Sequence, residues 1–157
     1  MGTSVRPATR RDGPALGRMG AALTRMHHGF DAMRFMLPDG IEEGYAWWLT
    51  REMKNARAVV VVAELEGAVV GYGYGRLGER DWNRLLDVHG ELIDVWIDEE
   101  ARGGGAGALL VEEVVRRLKA LGAPRVLLST AAPNEQAQRF FARLGFRTTM
   151  IEMTRES

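Results

Sequence analysis

The sequence predicts an α/β fold built on one mixed sheet, and three observations predict it. Residues 58–65 and 68–77 are strand-like runs joined across Glu66-Gly67, the pattern of an antiparallel hairpin. Residues 91–97, 103–107, 108–121 and 125–130 read as strand, glycine loop, helix and strand, a βαβ unit that requires a parallel pair. Amphipathic helical spacing precedes the hairpin and follows the βαβ unit.

Each element has a local reason. Residues 5–8 form a short first strand. Residues 9–28 place Leu16, Met19, Ala22, Leu23 and Met26 at helical spacing, with Pro14 in the first turn. Residues 29–40 read as loop. In 42–53, Tyr45, Trp48, Leu49 and Met53 share one side of a second helix. Residues 58–65 are rich in valine and favour a strand. In its hairpin partner, 68–77, Tyr72 and Tyr74 take one face and Gly71, Gly73 and Gly75 the other. Residues 78–88 are polar loop. The helix over 108–121 carries Glu112–Arg116 and Glu113–Arg117 at the favourable i,i+4 order and ends at Gly122 before Pro124. A helix over 134–144 starts on Asn134 as N-cap and stops at Gly145. Residues 146–153 close the chain as a strand. The expected order is β-α-α-β-β-β-α-β-α-β, in a single domain spanning 1–157.

Composition narrows the function. Lys plus Arg is 21 and Asp plus Glu is 21, so the basic excess of a dedicated nucleic-acid binder is missing. There is no cysteine, which removes thiol nucleophiles, thiolate metal sites and disulfides together. No apolar run approaches a membrane span, and the N-terminus does not read as a secretory signal. The expectation is a cytoplasmic protein with neither nucleic-acid nor membrane partners. Adjacent His27 and His28 point different ways on a helix and lack the spaced partners a metal needs, so no metal is expected. The 19 glycines in 157 residues, about 12%, exceed the usual 7% or so.

Part of that excess carries chemistry. Arg102, Gly103, Gly104, Gly105, Ala106, Gly107 and Ala108 lead from a strand into a helix. Bare amides at a helix N-terminus bind phosphate, and glycines allow close approach. A Walker loop would end in Gly-Lys-Ser/Thr, which is not present. A dinucleotide fingerprint on Gly103, Gly105 and Ala108 would need an acid about 20 positions on, where Leu127-Leu128-Ser129-Thr130 stands. What remains is Arg-x-x-Gly-x-Gly, filled by Arg102, Gly105 and Gly107. Valine at Gly105 or Gly107 is expected to put a side chain where a pyrophosphate sits. One strand later comes NEQAQRFFARLGF over 134–146, an Asn-x-x-Ala-x-x-Phe/Leu-Tyr/Phe-x-x-x-Gly-Phe pattern.

These two motifs in this order resemble the GNAT superfamily of acetyl-CoA-dependent N-acetyltransferases. The resemblance is firm from Glu91 to Phe146. It implies a sheet splayed between its fourth and fifth strands, with acetyl-CoA in the gap. Residues 102–107 and Ala108 would cradle the pyrophosphate, and the backbone of Val95, Trp96 and Ile97 would pair with the pantetheine arm. Asn134 would face the pantetheine or the sulfur. The position that carries a general-acid tyrosine in many members is Phe141, which has no proton to give.

The implied reaction is attack of an amine on a thioester, which asks for a base, a carbonyl polariser and an acid for the thiolate. Glu91 matches the offset of a family base. Asp94, flanked by apolar residues in the same strand, is the other candidate. By alternation Glu91, Ile93, Val95 and Ile97 share one face and Leu92, Asp94 and Trp96 the other, unless a bulge intervenes. Ser129 is the first candidate for the missing acid. The acceptor, a small-molecule or peptide amine, would meet the first two helices, their loop with its Met and aromatic residues, and the 78–90 loop. Homodimers are common in families like this one, and a homodimer enters as an expectation. Two other readings are an acyl-CoA sensor with weak or no turnover and a dinucleotide-binding protein.

Overall fold

The computed structural model describes residues 2–157. Five strands form one sheet in the order β1-β2-β3-β4-β5: β1 (Thr3–Pro7), β2 (Ala58–Leu65), β3 (Ala68–Gly78), β4 (His89–Ile97) and β5 (Val126–Leu128). The first four pair antiparallel, and β5 lies parallel to β4. Helices α1 (Gly13–Phe30) and α2 (Ile41–Glu52) join β1 to β2, α3 (Ala106–Ala120) joins β4 to β5, and α4 (Glu135–Arg143) follows β5. The mixed α/β class stands as the sequence predicts it.

The alternation of β2 and β3 divides the core in two. Val60, Val62, Tyr72 and Tyr74 pack with Leu16, Met19 and Leu49 of α1 and α2. Val59, Val61 and Leu92 pack with Leu110, Val111, Val114 and Leu118 of α3. On the α3 side, β3 presents only glycines at three alternate positions. A Cβ on Gly75 would stand 2.8 Å from both the Glu91 carbonyl oxygen and Val114 Cγ1, and one on Gly73 3.0 Å from Val114 Cγ2. The stripe removes one layer of side chains so that α3 lies directly on the β3 backbone. A Cβ on Gly20 of α1 would likewise run into the Tyr45 ring of α2.

Two details depart from the sequence reading. Glu113 lies near Arg117 as expected, but Arg116 bonds Glu113 in place of Glu112. The larger departure is the expected last strand. Residues 146–157 form no strand, and among the described residues their one backbone bond to the body runs from the Phe146 N–H to the Phe141 carbonyl. Neither parity of Thr148 to Met153 is purely apolar, and β5 is only three residues long, so no register buries a clean face.

Candidate active site

The sheet opens between its fourth and fifth strands. β4 and β5 pair only through Gly90↔Val126, Glu91↔Leu127 and Leu92↔Leu128. β4 then continues to Ile97 with no strand on that side. Asp98 N–H bonds the Val70 carbonyl at 2.7 Å, so ladder alternation turns Trp96 and Asp94 toward β3 and the N–H and C=O groups of Val95 and Ile97 outward. Those outward groups line the open side.

Beyond β4, a turn over Glu99–Ala101 leads into the glycine loop. Gly103 and Gly105 both sit at φ +86°, a conformation that glycine adopts without strain. Gly105 is the N-cap of α3, and the first intrahelical bond is donated by Leu109, so the amides of Ala106, Gly107 and Ala108 are unpaired within the helix. Arg102 bends back: its Nε donates to the Ile97 carbonyl at 2.9 Å and its guanidinium lies 4.9 Å from the centre of the Trp96 ring. Trp96 Nε1 donates to Asp98, which Arg18 of α1 also holds through two bonds of 3.0 Å.

The loop glycines are not equivalent. A Cβ on Gly107 would stand 3.1 Å from Phe140 Cζ, so this glycine seats α4 against α3, and valine there would displace α4. Valine at Gly105 would be strained at the backbone. The expectation that valine acts by filling the anion site is therefore corrected at Gly107, whereas at Gly105 the added side chain meets nothing within 4 Å and backbone strain acts beside it. Gly104 meets nothing nearer than the Ala101 carbonyl at 3.9 Å. Gly104→Val is expected to leave the melting temperature within about 2 °C and to weaken acetyl-CoA binding by at least about tenfold, as read by calorimetry.

On β4 the two candidate bases have different surroundings. The register steps from Tyr74↔Asp94 to Gly75↔Leu92, so Ile93 is an extra residue and β4 bulges. The simple alternation is thereby overturned. Leu92, Val95 and Ile97 pack on the α3 side, whereas Trp96 packs on the α1–α2 side and Asp94 bonds Tyr72 there. Glu91 pairs across to Arg76, which reaches Glu52 of α2, so Glu91 shares the face of Asp94. Arg84 bonds Glu91 at 2.7 Å and His89 Nε2 lies 3.0 Å away. These partners outweigh partial burial and hold the Glu91 carboxyl below its usual range.

Asp94 stands just past the last β4–β5 pair, where the strands part. The fully buried Tyr72 donates its phenol to Oδ2 at 3.0 Å. Burial pushes the Asp94 carboxyl up to about 6, against the phenol bond and the nearby His27, which both favour the ionised form. Its charge in turn raises the hydroxyl of Tyr45 on α2, already raised by burial. The sequence did not single out Tyr72 as the partner of Asp94, because the pairing depends on the bulge.

Ser129 is exposed just after β5, on the opposite wall of the gap. Asn134 caps α4, its side-chain oxygen accepting from Ala137 N–H at 3.1 Å. Asn134→Ala is expected to lower stability by about 1 kcal/mol, a fall of about 2–4 °C in thermal melts, while Asn134→Ser retains most of it. Phe141 packs against Phe140 and Phe146 at centroid distances of 5.2 and 5.9 Å. Among the described residues no group of three or more His, Asp or Glu is gathered as a metal site, and no helix is long and apolar enough to cross a membrane.

Similarity to known proteins agrees with this geometry. Residues 23–146 match the family described as Acetyltransferase (GNAT) family. The chain is 33% identical over 100 residues to a mycothiol acetyltransferase of Saccharomonospora viridis, across 63% of this chain and 33% of that protein. It is 30% identical over 95 residues to an uncharacterised N-acetyltransferase of Mycobacterium tuberculosis, across 60% of this chain and 56% of that one. The chain thus spans a third to just over half of the length of these relatives. In fold it superposes on a tetramutant Bacillus halodurans protein with a TM-score of 0.84 at 21% identity, covering 98% of this chain and 99% of that one. An aminoglycoside N-acetyltransferase solved with CoA gives 0.78 at 15% identity, covering 99% and 94%. With an open β4 edge, an unpaired amide loop at its end and a family match that includes both, the chain belongs to the GNAT acetyltransferase family.

Proposed function

We propose that this protein transfers an acetyl group from acetyl-CoA to a primary amine by direct attack, with Asp94 as general base. The observation that carries the reading is the placement of Asp94 at the bulge where β4 leaves β5, with a carboxyl pushed up to about 6. A base with that value is ionised at neutral pH and still accepts a proton readily.

The residues fit the co-substrate. The unpaired amides of 106–108, the open glycine loop and Arg102 suit a pyrophosphate, and the outward backbone of Val95 and Ile97 suits an amide-bearing arm. Acetyl-CoA supplies the thioester that the amine attacks and the thiol that leaves. Asp94 takes the proton of the acceptor ammonium, with Tyr72 fixing one carboxylate oxygen so that the other faces the amine. An outward N–H of β4 donates to the thioester carbonyl oxygen as its charge grows. Asn134 and Phe141 border the sulfur end. Asp94 releases the proton it took to solvent, and Ser129, across the gap, relays a proton from water to the sulfur. A thiol has a pKa near about 8.5, so this last step is the least demanding.

Glu91 is not given the proton-accepting role, because Arg84 and His89 already engage it. The sensor reading keeps one observation in its favour: Phe141 brings no hydroxyl to the place where many members carry a tyrosine. Release of free thiol from acetyl-CoA, followed with a thiol-reactive chromophore across amines, separates the two. Turnover above the rate without protein supports transfer. Binding of acetyl-CoA without turnover of any amine supports the sensor.

A further inference from the structure

Helix α4 carries two charges that no contact within the chain engages. Its cap and its apolar face account for Asn134, Phe140, Phe141 and Leu144. They do not account for Arg139 and Arg143, which are exposed and bond no carboxylate among the described residues. Helix geometry fixes where these arginines stand. Phe140 Cζ lies 3.1 Å from the place of a Cβ on Gly107, so the ring seats α4 against the first turn of α3, whose amides are unpaired within the helix. Successive residues of a helix turn by about 100°. Around α4 from Phe140, Phe141 and Leu144 therefore fall on one side and continue into the core, and Gln138 beyond them bonds the Ala131 and Ala132 carbonyls. Gln136, Arg139 and Arg143 fall on the other side, within about 100° of Phe140, and all three are exposed. A strip of two cations and an amide thus borders the junction of α4 with the start of α3.

The cations nearer the glycine loop have other tasks. Arg102 bonds the Ile97 carbonyl and lies over Trp96, beside the pyrophosphate seat, and Arg18 is held by Asp98. The acids close by in the chain are Glu99 and Glu100 before the loop and Glu135 in the first turn of α4. None of them bonds Arg139 or Arg143, so both guanidinium forks stay open. Open forks beside a row of bare amides match a ligand with two separate anionic groups. The amides suit a pyrophosphate, and the forks suit a phosphomonoester with its roughly 1.5–2 negative charges. Coenzyme A is such a ligand, since its ribose bears a 3′-phosphate besides the pyrophosphate. The strip lies on the α3 face of the sheet and Asp94 on the α1–α2 face, so the phosphate belongs to the co-substrate and not to the amine.

We propose that Arg139 and Arg143 bind the 3′-phosphate of coenzyme A, with Gln136 beside them. This rests on the co-substrate reading given above. Calorimetry of acetyl-CoA and of 3′-dephospho-acetyl-CoA at low salt tests it. The expected result is about fivefold tighter binding of acetyl-CoA, from two exposed ion pairs, a preference that shrinks as salt is added. Arg139→Gln combined with Arg143→Gln brings the two affinities within about twofold of each other, by weakening acetyl-CoA and leaving the dephospho compound as before. Arg10→Gln, which removes a charge ahead of α1, leaves the preference intact. Equal affinities in the unsubstituted protein overturn the proposal. So does a preference that survives in the double variant, which places the phosphate on another group. Neither result touches the transfer reading, since the dephospho compound still binds. If neither thioester binds, that reading has failed, and calorimetry of adenosine 3′,5′-bisphosphate against AMP decides the strip. A preference for the bisphosphate that the double variant abolishes keeps it; equal or absent binding removes it.

Discussion

Asp94→Asn is expected to lower kcat/KM by about 10²–10⁴-fold, the usual contribution of a positioned base. Asparagine keeps the size of the side chain and still accepts the Tyr72 phenol, so the fold is expected to survive. In the unsubstituted protein, kcat/KM is expected to rise with pH through about 6, where the Asp94 carboxyl ionises. At pH 5 it stands at about a tenth of its plateau. The plateau then holds until the amine itself loses its proton near about pH 10. In Asp94→Asn the limb near pH 6 disappears. Tyr72→Phe moves it in a set direction: the phenol bond favours the ionised carboxylate, so removing the bond raises the Asp94 value and shifts the limb to higher pH. Activity profiles of the three proteins decide the point. A limb that persists in Asp94→Asn places the base elsewhere.

The second large effect lies in the fold. Gly75→Val is expected to destabilise by about 3 kcal/mol or more, because the new Cβ meets the Glu91 carbonyl, Val114 and Leu118 together. Backbone cannot yield as a side-chain tip does. The fall in melting temperature is about 6–12 °C. Gly44, on the exposed side of α2 with nothing within 4 Å, is the opposite case. Gly44→Ala is expected to stabilise by about 0.5–1 kcal/mol through helix propensity alone. Thermal melts of both variants test whether space or conformation sets the value of a glycine here. Equal effects would refute the stripe as the seat of α3.

Much of this architecture was legible in the residues. The valine run of β2, the Glu66-Gly67 turn and the periodicity of α3 act within a few residues of themselves, and local signals of that kind appear directly in sequence. The glycine loop and the Asn134 cap were found for the same reason. The glycine stripe was visible as a pattern but not as a purpose, since its meaning lies in α3, some 40 positions on. The last strand failed because a strand needs a partner with a compatible face, and the three residues of β5 do not provide one. The pairing of Asp94 with Tyr72 was hidden by the extra residue at Ile93, a feature of register between two strands.

That extra residue makes the chemistry depend on whether a count is odd or even. Side chains along a strand exit alternately, so the stretch from Leu92 to Trp96 is read like a frame. Deleting Ile93 would close the bulge without turning any side chain: Asp94 would stay opposite Tyr74, Leu92 opposite Gly75 and Glu91 opposite Arg76, in a strand of regular alternation. Deleting Val95 would also close the bulge, with opposite effect. Ile93 would then stand opposite Tyr74 and Asp94 opposite Gly73, which drives a carboxylate into the valines and leucines under α3. Two deletions two positions apart thus leave strands of equal length, and only one of them keeps Asp94 among the tyrosines.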